Sequence, residues 1–266
     1  MKNKNILFLT LICLLLLAGF FSACQKKVSA NQSNQPVTIL AAAAASLEYV
    51  FREELIPRFQ KEYPWITVEG TYDSSGKLQL QIEQGLNADV FMSAATRQME
   101  ALVEKKLIDT ASVYPLLENK LVLIKPAGIS TNVTGFHDAD KANTLALGDP
   151  ASVPAGQYAQ EVFINLGKWE AVSSKASFGT NVTEVLNWVA EGSADAGVVY
   201  ATDAAVNKKV EIIEEAPAGS LKTKVIYPAG MISGTSHPTE AKLFINFLRS
   251  DAALRLFTAY GFSPNK

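Results

Sequence analysis

Apolar residues are distributed along this chain in two distinct styles. From Ile6 to Phe21 they run almost unbroken, with Thr10 the clearest polar interruption. From Val37 onward they come in short clusters, some strand-like and some recurring at helical spacing. Between the two, Gln25 to Pro36 is polar and has no apolar period, which is the composition of a flexible tether.

The ordered part reads as strands alternating with helices. Val37-Thr38-Ile39-Leu40 predicts a strand, and Leu47, Val50, Phe51, Leu55 and Phe59 predict a helix kinked at Pro57. Ile66-Thr67-Val68 is a strand, Leu78 and Ile82 mark a helix ending near Gly85, Asp89 to Met92 is a strand, and Met99, Leu102 and Val103 begin another helix. Leu121 to Ile124 is a buried strand closed by Lys125-Pro126. In the second stretch, strands are predicted at Leu145 to Leu147, Ala196 to Tyr200, Val210 to Ile213 and Val225 to Tyr227. Helices are predicted around Tyr158 to Leu166, Val185 to Val189, Pro238 to Leu248 and Asp251 to Tyr260. This alternation predicts an α/β architecture with a mostly parallel sheet. The length fits one doubly wound domain or two lobes, and periodicity alone leaves both open.

The N-terminal run is too short and too early to span a bilayer; behind Lys2 and Lys4 it suits the core of a signal peptide. Phe21-Ser22-Ala23-Cys24 resembles a bacterial lipobox, with Phe21 where that pattern usually has Leu. The chain has 2 Cys, Cys13 inside the leader and Cys24 at the cut, so a disulfide framework and a Cys-based metal site are both excluded from the mature protein. Removing residues 1–23 leaves 243 of 266. It also takes the whole-chain charge of −2 to −4, because Lys2 and Lys4 are lost. A mildly acidic surface argues against nucleic acid as a partner, and any bound anion must be held by local groups.

In open α/β sheets ligands bind beyond the carboxyl ends of the strands, so the strand-to-helix turns carry the information. Four are unusual. Ala41 to Leu47 is alanine-rich with Ser46 at a predicted N-cap. Thr71 to Leu78 holds Ser74-Ser75-Gly76; its spacing, and Leu78 where a Walker loop needs Ser or Thr, exclude nucleotide binding. Gly148 to Gly156 places Pro154 in a first helical turn with the Ala155 and Gly156 N–H groups beyond it. Phe178 to Glu184 has Asn181 and Glu184 at capping-box spacing, opening a helix whose first N–H groups include that of Val182. Each turn alone is an ordinary cap. Together they supply several helix N-termini, hydroxyls and small side chains at one sheet edge, a combination that traps an oxyanion without Arg or Lys.

The motifs in this order resemble the molybdate-binding protein (ModA) family, the extracytoplasmic component of a molybdate ABC transporter. The resemblance runs from about Val37 to the C-terminus. It is carried by the Ala-rich turn ending at Ser46-Leu47, by Ser74-Ser75-Gly76, Ala88 to Ala94, Gly148-Asp149-Pro150, Val153 to Ala159, Gly197 to Tyr200 with Thr202-Asp203-Ala204, and Tyr260-Gly261-Phe262. It implies a two-lobed type II periplasmic-binding-protein fold, with two α/β lobes joined by crossover strands near Lys120–Lys125 and Val225–Gly230 and the ligand in the cleft. The implied division is a signal peptide over 1–23, a lipidated Cys24 and tether over 24–36, lobe 1 from 37–122 plus 227–266, and lobe 2 from 123–226. It further implies that molybdate or tungstate is held through its oxygens by the Ser46 and Ser75 hydroxyls and N–H groups, the Ala155 and Val182 N–H groups and the Tyr200 hydroxyl. No cofactor is implied. The implied partners are a permease and its ATPase, with the membrane reached through Cys24; the protein would act as a monomer at the outer face of the cytoplasmic membrane or in the periplasm. Asp73, where related chains often carry a small residue, must then turn its carboxylate away from the ligand.

Rival classes fare less well. The 2 His, His137 in a polar loop and His237 before Pro238, read as surface or capping residues. No G-x-S-x-G elbow or H-E-x-x-H motif is present, which argues against an enzyme. Within the binding class, sulfate, phosphate or an organic acid is the alternative ligand; none of the four turns offers the Arg that favours a carboxylate. An adhesive module would show repeats or an exposed apolar strip, and neither is visible in the sequence.

Overall fold

The computed structural model describes residues Gln35 to Asn265; the leader, Cys24 and the tether as far as residue 34 lie outside the described residues. β1 spans Val37–Ala44, longer than its aliphatic start, because the alanines continue it through the middle of a sheet. Both faces of β1 are buried. Ile39, Ala41 and Ala43 face the main core, while Ala42 faces a second cluster of Leu78, Ile82, Phe91, Met99 and Leu102. Small side chains here let helices close on the strand from both sides.

The remaining strands are β2 Ile66–Asp73, β3 Val90–Met92, β4 Tyr114–Asn119, β5 Leu121–Pro126, β6 Leu145–Gly148, β7 Ala176–Gly179, β8 Ala196–Tyr200, β9 Val210–Glu215, β10 Val225–Met231 and β11 Ser263–Pro264. They form two sheets, ordered β11-β4-β10-β3-β1-β2 and β7-β6-β8-β5-β9. The chain leaves the first sheet between Asn119 and Leu121, and returns to it between Glu215 and Val225. This is the two-lobed architecture expected.

The sheets are mixed rather than mostly parallel. β1 pairs in parallel with β2 and β3, and β6 with β7 and β8. β5 and β10, the strands that receive the chain after each crossing, pair antiparallel with all their neighbours. Helical βαβ connections enforce parallel pairing; a strand arriving from the other lobe is free of that rule.

Two further differences have local causes. The helix after β1 continues through Pro57 and changes type along its length. It runs as a 3-10 turn Ala45–Leu47, an α turn Glu48–Val50, a π segment Phe51–Leu55 and an α-helix Ile56–Glu62. Proline cannot donate to the carbonyl four residues back, and the wider π spacing absorbs the missing bond. β4 is an unpredicted strand because Pro115 breaks its pattern. It is tolerated where Pro115 faces Pro228, beside a bulge in the β4–β10 register.

The helix Pro154–Asn165 rests directly on the end of β6: a Cβ on Gly156 would lie 2.0 Å from the Gly148 carbonyl oxygen. Gly156→Ala should therefore destabilise the protein by about 1–3 kcal/mol through overpacking, against a helix-propensity gain of about 1 kcal/mol. Urea unfolding of the variant beside the wild type measures the net loss; an unchanged midpoint would contradict this contact.

Candidate functional site

Six strand ends converge on one small cavity. β1 delivers Ala44, Ala45 and Ser46; β2 delivers Asp73, Ser74 and Ser75; the turn after β3 delivers Ala94. From the second sheet come Val153, Pro154 and Ala155 after β6, Val182 after β7, and Tyr200 at the end of β8. Together they line a small cavity, with room for little more than the centre of one water-sized sphere, about 10 Å³. Ser46, Ser75, Ala155, Val182 and Tyr200, the residues singled out from the sequence, all line it.

The local reasons differ from turn to turn. Ser46 is not an N-cap: Ala44 holds that position, and Ser46 lies inside the 3-10 turn with its Oγ 2.9 Å from the Tyr227 hydroxyl. Ser74 does occupy the N-cap of the Ser75–Glu83 helix, yet its hydroxyl makes no capping bond. Ala155 and Val182 lie in the first turns of their helices, ahead of the helical hydrogen-bond ladder, so their N–H groups are orphan donors. Asn181 caps the second of these helices through its Oδ1, 3.0 Å from the Glu184 N–H. The expected reciprocal bond goes elsewhere, because the Glu184 carboxylate accepts from the N–H and hydroxyl of Thr180 instead.

The wall is rich in protons and poor in acceptors. Ser74 Oγ and Tyr200 OH are buried without a hydrogen-bond partner, at 3% and 1% residue exposure. A buried unpaired hydroxyl costs about 1–3 kcal/mol, so two on one wall point to a ligand that accepts from them. Burial pushes the Tyr200 hydroxyl well above its ordinary pKa, which keeps it a donor. The lining has no Lys or Arg. Among the described residues no group of three or more His, Cys, Asp and Glu gathers to hold a metal ion directly.

Asp73 is the one charged residue in the lining, and one of its two carboxylate oxygens is engaged. Oδ1 accepts from the Ser74 N–H at 2.7 Å and from Asn181 Nδ2 at 3.3 Å, and lies 3.4 Å from Lys77 Nζ. The Asn181 bond crosses between the two sheets, and so do Gly76 N–H to Ser152 O at 2.9 Å and Gln98 Nε2 to Gln157 Oε1 at 3.1 Å. The lobes are thus closed over the cavity. A wider cleft alongside shares Ala45 and Ser46; it is lined by Glu48, Glu53 and Asp203 and by Arg52, which is paired with Glu48, so its acids outnumber its one base. Sequence reasoning missed Ser74 as a free donor, because Ser before a helix normally spends its oxygen on the cap.

Residues 39–263 match the model of the bacterial extracellular solute-binding protein family. The chain is 36% identical to the molybdate-binding protein ModA of Haemophilus influenzae over 234 residues, 85% of this chain and 89% of that one. It is 39% identical over 98% of both chains to YvgL of Bacillus subtilis, provisionally named an ABC transporter substrate-binding lipoprotein. In fold it is similar to the periplasmic molybdate-binding protein of Azotobacter vinelandii, with a TM-score of 0.74, 21% identity and coverage of 86% of this chain and 100% of that one. It is as similar to the sulfate-binding protein SubI of Mycobacterium tuberculosis, with a TM-score of 0.73, 17% identity and coverage of 86% and 87%. The chain belongs to the bacterial extracellular solute-binding protein family and groups with the ModA proteins within it: it is an extracytoplasmic solute-binding protein of the type II fold. The near-equal fold scores for a molybdate and a sulfate binder leave the choice of anion to the side chains.

Two outcomes follow from this geometry. A Cβ on Gly76 would lie 2.4 Å from the Ser152 carbonyl oxygen on the opposite lobe. Gly76→Ala should hold the lobes apart and weaken oxyanion binding about tenfold or more, for about 1–3 kcal/mol of steric cost. Its ligand-free unfolding midpoint should stay put; tight binding by the variant in a calorimetric titration would refute the clash. The second outcome concerns Asp203, whose carboxyl burial pushes up to about 7 from an ordinary 3.8. Between those values the folded chain holds a proton that the unfolded chain has released. Wild type should therefore gain stability relative to Asp203→Asn as pH falls from 8 to 5. Urea midpoints of both proteins at the two pH values test this, and a constant difference would mean the carboxyl is not desolvated.

Proposed function

We propose that this solute-binding protein captures molybdate, and tungstate equally well, outside the cytoplasm and delivers it to an ABC transporter permease driven by its ATPase. The observation that carries the proposal is the cavity wall: hydroxyl and N–H donors from five strand ends, two of the hydroxyls unpaired, with no cation among them. The Ser46, Ser75 and Tyr200 hydroxyls, with the Ala155 and Val182 N–H groups, are the proposed ligands; Ser74 joins them as a further donor. Molybdate is a tetrahedral dianion near neutral pH, and hydrogen bonds to a charged acceptor are strong enough to hold it without a counter-charge. Its metal–oxygen bonds are longer than the S–O bonds of sulfate. In a cavity fitted to molybdate, sulfate leaves some buried donors unreached, and those unpaired donors set the discrimination. Tungstate has nearly the radius of molybdate and fits the same donors.

The rest of the reading supports transport and not turnover. The donors fix an anion on all sides and include no nucleophile–base pair. Cys24 is the proposed lipid anchor, a reading that the name of the Bacillus relative as a lipoprotein supports, and a monomer is the proposed working form. Among the described residues no helix is long and apolar enough to cross a membrane. We place lobe 1 at 37–122 plus 227–266 and lobe 2 at 123–226.

Thermal unfolding of the mature chain with molybdate, tungstate, sulfate and phosphate tests the ligand. A ligand at one hundred times its Kd adds about 2.7 kcal/mol, and molybdate and tungstate should do so at far lower concentration than the others. Equal stabilisation by sulfate would remove the specificity claim. Ser46→Ala and Ser75→Ala should each weaken molybdate binding by about 1.5–3 kcal/mol, the range for hydrogen bonds to charged groups. Normal binding by both variants would place the ligand elsewhere.

A further inference from the structure

Taking the proposed oxyanion site as given, we infer that Asn119 and Tyr227, which lie behind the cavity, fix the direction of the Ser46 hydroxyl proton. Ser46 is thereby a pure donor toward the ligand, and the site is set against anions that carry a proton of their own.

The chain of hydrogen bonds starts at the crossing between the sheets. Asn119 Oδ1 accepts from the Lys120 N–H at 2.8 Å, which settles which end of the amide is oxygen. Its Nδ2 then has two protons to give. One goes to Thr202 Oγ1 at 2.9 Å, on the second-sheet side, and the other to the Tyr227 hydroxyl at 3.2 Å. An amide nitrogen cannot accept, so the Tyr227 oxygen is the acceptor of that bond.

Tyr227 is completely buried; besides Asn119, the group in hydrogen-bond geometry with its hydroxyl among the described residues is Ser46 Oγ, 2.9 Å away, while the neighbouring Tyr200, edge-on to its ring, interacts with it outside that geometry. If Ser46 donated to Tyr227, the phenol proton would be left buried with no acceptor, at a cost of about 1–3 kcal/mol. Tyr227 therefore donates to Ser46. The Ser46 oxygen is used as an acceptor from behind, and its own proton is free for the cavity that Ser46 lines. Ser75 is set in the same way by a backbone group: its Oγ accepts from the Ala94 N–H at 3.0 Å, which frees its proton too.

The chemical consequence is selection by protonation. Molybdate, tungstate and sulfate at neutral pH present only lone pairs, which suit a wall of oriented donors. Hydrogen phosphate and hydrogen arsenate carry an O–H that needs an acceptor, and against Ser46 it would meet another proton. Size separates molybdate from sulfate; the relay separates unprotonated from protonated anions. Asp73 is the only carboxylate in the lining, and its Oδ1 is committed to Ser74, Asn181 and Lys77.

Two variants of the mature chain test the relay by calorimetric titration with molybdate and with phosphate at pH 8. Tyr227→Phe keeps the ring and removes the hydroxyl, so the Ser46 proton is no longer steered. Molybdate affinity should fall about tenfold, and the molybdate-to-phosphate ratio should shrink. Asn119→Asp keeps the shape and reverses the relay: the carboxylate accepts from Tyr227, Tyr227 accepts from Ser46, and Ser46 turns a lone pair to the cavity. This variant should show the larger fall in the ratio. In a Ser46→Ala background, Tyr227→Phe should have no further effect, whereas a packing role would add its loss in full. Unchanged affinities and ratio in both single variants, or additivity in the double variant, would overturn the relay. Wild-type phosphate binding as tight as molybdate binding would overturn it as well. If Ser46→Ala and Ser75→Ala themselves bind molybdate normally, it is the proposed site that fails and not the relay alone.

Discussion

A cavity that takes an anion out of water without a cation in its wall must supply all of its polarity from dipoles, and dipoles work only when their directions are fixed. On the proposed reading, several features of this fold serve that constraint. Orphan N–H groups of the Pro154–Asn165 and Val182–Ala190 helices point where the backbone aims them and cannot turn away. Hydroxyls are less reliable, because they rotate. Ser46 and Ser75 are each held from behind by a donor, Tyr227 for one and the Ala94 N–H for the other. The alanines and glycines around them exist for the same reason: helix ends can approach the strand tips only where side chains are absent, as at Gly156 against Gly148.

The parts of this plan that were legible in the sequence are those set by neighbouring residues. Strand-to-helix turns announce themselves through Ser, Gly, Pro and small residues close in the chain, and the five residues drawn from those turns meet in one cavity. Strands such as Leu121–Pro126 and Ala196–Tyr200 showed as apolar runs because both of their faces are buried. What could not be read is set by residues far apart. Tyr227 lies 181 positions from Ser46 and Asn119 lies 83 from Thr202, and no local pattern marks a tyrosine in an apolar strand as a proton relay. β4 was hidden by Pro115, whose missing N–H matters only if its partner needs it, and the partner is Pro228. Ser46 was expected to cap a helix; the turn tightened into a 3-10 start, and that released its hydroxyl for Tyr227.

The mixed sheets have a functional side. β4 and β10 lie side by side in the first sheet, one carrying Asn119 at the crossing and the other Tyr227. Antiparallel pairing of these two strands is what brings the amide within reach of the phenol. The crossings that join the lobes are therefore also the support on which the Ser46 donor is oriented, and a fold shared with binders of different anions is free to change its selectivity by changing residues behind the wall.

Asp73 shows how closure and donor presentation are joined. A bare carboxylate beside an anion would oppose binding, yet this one spends Oδ1 on the Ser74 N–H, on Asn181 and, at longer range, on Lys77. Asn181 receives that contact through its Nδ2, while its Oδ1 caps the helix whose first turn holds the Val182 N–H. One side chain thus ties the lobes together and fixes the start of the helix that presents a donor. When the lobes part, Asp73 loses its partner on the far side and its charge faces an open cleft. When they close, the same charge is drawn into a bond that only closure can make. The carboxylate therefore favours the closed form through Asn181, and the donors gathered on its Oδ1 draw part of its charge toward the latch.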